Sequence, residues 1–140
     1  MIEQPFTTSP VSVAGSTKVG NGEIRLQRFG GCVIVRLAGE FGASNASSLQ
    51  RSLCDLASTD HVVVELSRVA FLDATALHAL KHAHDAATKC CTSVQITGSR
   101  EPVRRLLEVT RLDANLNYHD HTADAVEAAL TAGDAIPPGH

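Results

Sequence analysis

The chain has 140 residues, 44% of them hydrophobic, which predicts one globular domain with a buried core and short tails. Its net charge of −3 gives no general attraction for nucleic acid, and no apolar run approaches the roughly 18 residues of a membrane span. Residues 1–10 lack the basic and hydrophobic regions of a secretory signal, so we expect a cytoplasmic protein without a nucleic-acid or membrane partner.

The N-terminal part of the chain predicts a loose segment followed by a hairpin. Residues 1–21 are rich in Ser, Thr, Gly and Pro without clear periodicity, which is typical of a flexible lead-in. Residues 23–29 alternate polar and apolar side chains, as in a strand with one wet face. Gly30 and Gly31 then predict a tight turn into a second strand over residues 32–38. The two strands should pair antiparallel.

The segment after this hairpin predicts the first helix. Residues 39–42 close the second strand, and Ser44 or Asn45 can cap a helix that runs to about residue 57. Its apolar seam, at spacings of four and three, consists of Leu49, Leu53 and Leu56.

The next segment predicts a buried strand that leads into a capped helix. Residues 62–66 are mostly β-branched and form a continuous apolar run, as in a strand buried on both faces. A short connection with the apolar Phe71 and Leu72 follows. Asp73 then favours the N-cap of a helix that extends to Lys89. The side of this helix predicted to face the core contains Ala76, Leu77, Ala79, Leu80, Ala83, Ala86, Ala87 and Cys90.

The last third of the chain predicts two more strands and two more helices. Residues 92–97 form a strand pattern, and the following helix has Pro102 in its first turn. Residues 115–119 are a short strand candidate, and Thr122 precedes a final amphipathic helix.

The order of these elements predicts an α/β fold. Strands that alternate with helices form βαβ units, so we expect a mixed sheet of about five strands with helices mainly on one face. The domain should span residues 22–132, between the flexible lead-in at 1–21 and a disordered tail at 133–140.

Sequence motifs of enzymes and cofactor sites are missing. The chain has no Gly-x-Ser-x-Gly elbow, no Walker P-loop and no dinucleotide fingerprint. None of the four cysteines forms a Cys-x-x-Cys pair, and Cys90 and Cys91 lie at a helix C-terminus, where the dipole opposes thiolate formation. We therefore expect a non-enzymatic protein without a cofactor.

One cluster of side chains leaves a metal site open. His78, His82 and Asp85 share one face of the helix after Asp73. A zinc site there would need a further ligand from elsewhere in the chain. The pattern favours a solvated polar face, with a metal- or ligand-sensing domain as the alternative.

The region from the buried strand to the start of its helix resembles the signature of the STAS domain, named for sulfate transporters and anti-sigma factor antagonists. That signature is a hydrophobic strand, an Asp or Asn followed by Leu, a short apolar connection, and Asp-Ser-Ser/Thr-Gly-Leu at the start of a helix. The matching residues here are 62–66 and Asp73-Ala74-Thr75-Ala76-Leu77. Residues 39–42, Gly-Glu-Phe-Gly, resemble a second family segment, and the resemblance extends from about residue 23 to 130.

The chain departs from this signature at positions that bear on regulation. In the antagonists the first hydroxyl residue after the Asp is phosphorylated by a partner kinase, and here that position is Ala74. Thr75 keeps a hydroxyl in the first helical turn, where a negative charge is favourable, so it is the candidate phosphorylation site. Ala76 replaces the usual Gly, and Glu65 replaces the usual Asp or Asn.

The resemblance implies a bacterial transcription regulator similar to an anti-sigma factor antagonist. Such a protein binds an anti-sigma factor, often a serine kinase, and thereby frees a sigma factor. The alternative with the same fold is a STAS-like subunit of a lipid-transport ABC ATPase or of a stress-sensing complex. The residues that the resemblance places in the partner-binding surface are Phe41, Gly42, Ser44, Asn45, Asp73, Ala74, Thr75, Ala76 and His78.

Overall fold

The structure, a computed structural model, describes residues 11–29, 32–98, 101–110, 117–119 and 121–134. These residues form six strands and four helices, so the predicted α/β class is confirmed. In chain order the elements are β1 (Val11–Val19), β2 (Gly22–Phe29), β3 (Cys32–Phe41), α1 (Ala46–Ala57), β4 (His61–Leu72), α2 (Ala74–Lys89), β5 (Val94–Thr97), α3 (Glu101–Val109), β6 (Asn117–His119) and α4 (Thr122–Asp134). Within the described ranges, no helix is both long and apolar enough to cross a bilayer.

The strands form one mixed sheet in the order β1-β2-β3-β4-β5-β6. The first three strands pair antiparallel, and β3, β4, β5 and β6 pair parallel. Parallel neighbours need crossover connections, which α1, α2 and α3 provide. Because parallel strands end at the same edge of a sheet, the segments after β3 and β4 meet there. This edge contains the start of α2.

The strand count differs from the prediction because β1 lies in the segment assigned to the flexible lead-in. Its residues pair with β2, for example Thr17 with Ile24 and Lys18 with Glu23. Residues 11–19 have no clear apolar period, but an edge strand is held by backbone hydrogen bonds that any composition can make. The rest of the predicted lead-in, residues 1–10, lies outside the described residues.

Other predicted boundaries also shift in the structure. The strand predicted at 62–66 is longer, since β4 continues through the predicted connection to Leu72 with register shifts opposite Ala38 and Glu40. The predicted turn at residues 30–31 lies outside the described residues, although β2 and β3 pair antiparallel as expected. Helix α4 extends to Asp134, and the remainder of the predicted tail is likewise outside them.

The core lies on both faces of the sheet, with most helices on one of them. The larger cluster contains the inward residues of α1, α2 and α3, among them Leu49, Leu53, Leu77, Leu80, Val103 and Leu107. The smaller cluster joins Cys32, Ile34 and Val63 of the opposite face to Ala125 and Ala129 of α4. The expectation of helices mainly on one face is confirmed.

Helix α2 buries the side that its periodicity predicts, with two exceptions near its C-terminus. Ala86 is only partly buried, and Cys90 is exposed. The reason is that α2 ends at Lys89, so Cys90 is its C-cap residue and no longer follows the helical period.

Candidate functional site

The first turn of α2 is a capped and accessible helix start. The side chain of Asp73 accepts a hydrogen bond from the Ala76 backbone N–H, with 3.1 Å between Oδ1 and N, which confirms the predicted N-cap. Ala74 and Thr75 are exposed, whereas Ala76 is buried against the core. The turn therefore exposes Ala74 and Thr75 to solvent, while Ala76 packs it against the core.

The loop after β3 lies directly against this cap. The Asp73 backbone N–H donates to the carbonyl oxygen of Phe41 at 3.2 Å. A Cβ atom at Gly42 would stand 2.7 Å from Oδ2 of Asp73, so only glycine permits this approach. The structure thus brings together two segments that are about 30 residues apart in the chain and that the sequence analysis assigned to one surface.

The side chain of Asn45 fixes the conformation of the loop after β3 through three hydrogen bonds. Its side chain is 3% exposed; Oδ1 accepts from the Gly42 N–H at 2.8 Å, and Nδ2 donates to the carbonyls of Val19 at 2.8 Å and Glu40 at 2.9 Å. Asn45 occupies the N-cap position of α1, as predicted, but its side chain makes no capping bond. It joins the ends of β1 and β3 instead.

The predicted partner-binding residues divide into an exposed group and a supporting group. Phe41 and Ala76, like Asn45, have buried side chains, so they position the surface rather than form it. Ser44, Ala74, Thr75 and His78 are exposed. Together with Phe71, these four residues are called the α2-start surface below.

The sequence analysis missed Phe71 as a surface residue. It was assigned to an apolar connection, whereas the structure places it in β4, opposite Glu40, with 53% of its surface exposed. Among the described residues, Phe71 and Val109 are the exposed large hydrophobic side chains. A large apolar group in solvent next to a predicted binding site is a signal that only the strand register could reveal.

The electrostatics of the α2 start favour an added negative charge. The first turn contains no acidic residue after the Asp73 cap, and the helix dipole is positive at this end. The hydroxyl of Thr75 makes no hydrogen bond with any described residue, and it lies in solvent. Apart from the Asp73 cap, a phosphate on this hydroxyl would meet no acidic side chain within the turn.

The three residues of the possible metal site lie on the solvent side of α2. Among the residues described by the structure, no three His, Cys, Asp or Glu side chains are placed to hold a metal ion. His78 and His82 are exposed, and the Asp85 carboxylate pairs with Lys81 at 3.3 Å. Three side chains on the outer face of one helix need a further ligand to hold zinc, and the part of the chain that the structure describes supplies none.

The cysteines occupy two kinds of environment. Cys32 is buried beneath α4, and this burial, with a smaller contribution from Asp60, raises its pKa to about 11. Burial also raises the pKa of the partly buried Cys54, with a further contribution from Asp55. Cys90 and Cys91 are exposed at the end of α2.

Comparison with known proteins supports the fold. The family model of the STAS domain matches residues 23–129, and no curated protein sequence matches the chain. An anti-sigma factor antagonist from Mycobacterium paratuberculosis is similar in structure, with 24% identity and a TM-score of 0.70 over 78% of this chain and 94% of that one.

Two further structures extend this likeness to different settings. The phosphorylated form of the Bacillus cell fate determinant SpoIIAA has 13% identity and a TM-score of 0.60, over 75% of this chain and 97% of that one. The murine anion transporter Slc26a9 has 18% identity and a TM-score of 0.60, over 75% of this chain but only 18% of its own length. Similarity at these identities shows the fold alone.

Proposed function

The chain belongs to the STAS domain family, and we propose that it is an anti-sigma factor antagonist, a non-enzymatic module that binds an anti-sigma factor and frees a sigma factor. The observation that carries this proposal is the α2-start surface, an exposed helix start supported by the loop after β3. Support also comes from the structural likeness to proteins named as anti-sigma factor antagonists.

The composition of the α2-start surface suits a protein partner. Ala74 is small, so a partner's backbone can approach the first turn closely. Phe71 offers an aromatic side chain that is already half exposed and would gain by burial in a partner's pocket. Ser44 and Thr75 add exposed hydroxyl groups, which are typical of the polar rim of a protein interface.

We also propose that regulation differs from phosphorylation at the first position of the turn. Ala74 has no oxygen that a kinase could modify. Thr75 retains an exposed hydroxyl, and a phosphate there would add nearly two negative charges to the first turn of α2. The helix start would tolerate that charge, but an apolar or acidic partner surface would be expelled by it. The antagonist is therefore constitutive or is switched at Thr75.

The test is affinity capture from the native host's lysate with the wild-type protein and two charged variants. Thr75→Glu places a charge in the α2-start surface, and Ala123→Glu places the same charge at an exposed first-turn position of α4, on the other face of the sheet. The wild type and Ala123→Glu should both recover an anti-sigma factor. Thr75→Glu should bind it at least tenfold more weakly, because burying an unpaired charge costs about 2 kcal/mol or more.

Capture of an ABC ATPase in place of an anti-sigma factor would overturn the proposal and favour the transport alternative. The kinase step is tested with the captured partner and ATP. Ala74→Ser restores the missing hydroxyl, so this variant should gain a phosphate at position 74. If Ala74→Ser binds the kinase but remains unmodified there, the idea that Ala74 removes a phosphorylation site is wrong.

A further inference from the structure

A row of polar side chains crosses the face of the sheet on which α4 packs. The strand pairing places Arg25 of β2 opposite Arg36 of β3, Arg36 opposite Glu65 of β4, Glu65 opposite Thr97 of β5, and Thr97 opposite His119 of β6. Side chains two positions apart share a face of a strand. The row therefore lies beside the apolar residues, two positions earlier, that α4 covers.

The polar row is unexpected because the neighbouring part of the same sheet face is apolar. Ile34 and Val63, two positions before Arg36 and Glu65, are buried with Ala125 of α4. Short neutral side chains would be sufficient where a sheet face extends beyond its covering helix. Here the face instead carries the charged residues Arg25, Arg36 and Glu65. Beside α4 the face opens into a cleft of about 390 Å³, and the polar side chains that line it are Arg25, Arg36, Arg68, Glu23, Glu65 and Ser67.

Two side chains in this row are buried without a partner. Glu65 is 9% exposed and forms no hydrogen bond or ion pair with any described residue. Thr97 is fully buried, and its Oγ1 has no hydrogen-bond partner in the described part of the chain. Glu65 lines the cleft, and a nearly buried acidic side chain without a partner is costly, so it points to a ligand that supplies the missing bonds.

The local backbone is adapted to the Glu65 carboxylate. Gly98 has a φ of +76°, and a Cβ atom there would stand 2.8 Å from Oε2 of Glu65. A side chain at this position would be strained and would also displace the carboxylate. The sequence departs from the STAS signature at Glu65, where the shorter Asp or Asn is usual. The structure places this longer side chain in the lining of the cleft.

The arginines provide the opposite charge. Arg25 and Arg36 are directly paired across β2 and β3, and like charges in this position repel each other unless an anion lies between them. Arg36 is held in place because its Nη2 donates to Oε1 of Gln27 at 3.0 Å. Arg25 has no hydrogen-bond or ion-pair partner among the described residues. Guanidinium groups bind carboxylates and phosphates with two parallel hydrogen bonds.

We propose that this cleft binds a small hydroxylated anion. Its phosphate or carboxylate group contacts Arg25 and Arg36, and its hydroxyl groups donate hydrogen bonds to the side chain of Glu65. The volume suits a ligand of the size of a sugar phosphate or a hydroxy acid. Helix α2 packs on the other face of the sheet, so the ligand lies away from this helix.

The test is a titration followed by two-dimensional NMR of isotope-labelled protein. The probes are ribose 5-phosphate and citrate, which represent the phosphate and carboxylate sources, with inorganic phosphate and ribose as controls. One of the two hydroxylated anions should shift the signals of β2 to β5 and of the arginine side chains, with a dissociation constant of about 1 mM or lower. Inorganic phosphate should bind more weakly, and ribose should not bind.

Variants separate the proposed site from unspecific anion binding. Arg36→Gln should weaken binding about 10- to 100-fold, since it removes charge-assisted hydrogen bonds. Arg25→Gln, at an exposed position, is a second variant if Arg36→Gln does not fold, and Arg51→Gln on α1 is the control that should leave binding unchanged. Glu65→Gln should remove the preference for ribose 5-phosphate or citrate over inorganic phosphate.

Several results would overturn the proposal. One is that neither hydroxylated anion shifts the signals of the cleft at concentrations of about 10 mM. Others are binding that Arg25→Gln and Arg36→Gln leave unchanged, or inorganic phosphate that binds as tightly as both organic anions. In the last case Glu65 takes no part in recognition.

Discussion

Asn45 should be essential for stability although it is a single polar residue next to a loop. Its amide makes three hydrogen bonds with backbone groups, at Gly42, Val19 and Glu40. Asn45→Ala removes all three and leaves their partners in a buried site. At a net value of about 1 kcal/mol for each bond, the free energy of unfolding should fall by about 3 kcal/mol.

The measurement is urea unfolding followed by far-UV circular dichroism at neutral pH. Ser44→Ala is the matched control, because Ser44 is the adjacent exposed residue, and it should change the free energy of unfolding by less than about 0.5 kcal/mol. An unchanged dependence on urea concentration would show that the difference lies in stability. A loss of under about 1 kcal/mol for Asn45→Ala would refute the reasoning that these bonds hold the loop.

Asn45→Asp adds a test of direction. One oxygen of the new carboxylate can still accept the hydrogen bond from the Gly42 N–H. The other oxygen replaces the donating amide nitrogen and faces the carbonyl oxygens of Val19 and Glu40. Burial and this repulsion should raise the pKa of the new carboxyl above its usual value of about 3.9. The folded state then binds the proton more tightly, so the variant's deficit relative to wild type should grow as the pH rises from about 3 to 7. A deficit that shrinks over this range would contradict the hydrogen-bond assignment.

Two further predictions concern the cap and the buried thiol. Asp73→Ala should lower the free energy of unfolding by about 1 kcal/mol, because the Ala76 N–H loses its acceptor. Asp73→Asn keeps a capping oxygen, so its free energy of unfolding should fall less. Equal losses for the two variants in urea unfolding would contradict this. Cys32, whose pKa is raised to about 11, should react with a disulfide reagent at pH 8 only on unfolding, while Cys90 and Cys91 react at once. Mass spectrometry of the labelled protein would locate the reacted thiols, and early labelling of Cys32 would contradict its burial.

The sequence by itself determined what depends on neighbours along the chain. The capping Asp73, the apolar side of α2 and the alternation in β2 are properties of short segments, and the structure contains all three. The α/β class followed from the order of such segments. The juxtaposition of the loop after β3 with the start of α2 followed from the family resemblance, and their bonding confirms that they are adjacent.

The tertiary structure alone decided what depends on pairing between distant segments. Strand β1 and the continuation of β4 are defined by backbone bonds to neighbouring strands, which leave no period in the sequence. The exposure of Phe71 and the burial of Asn45 depend on which face of the fold each side chain meets. The row from Arg25 to His119 exists because the register of five strands aligns five residues that are scattered along the chain. Register is a property of the whole sheet, so no single segment could reveal it.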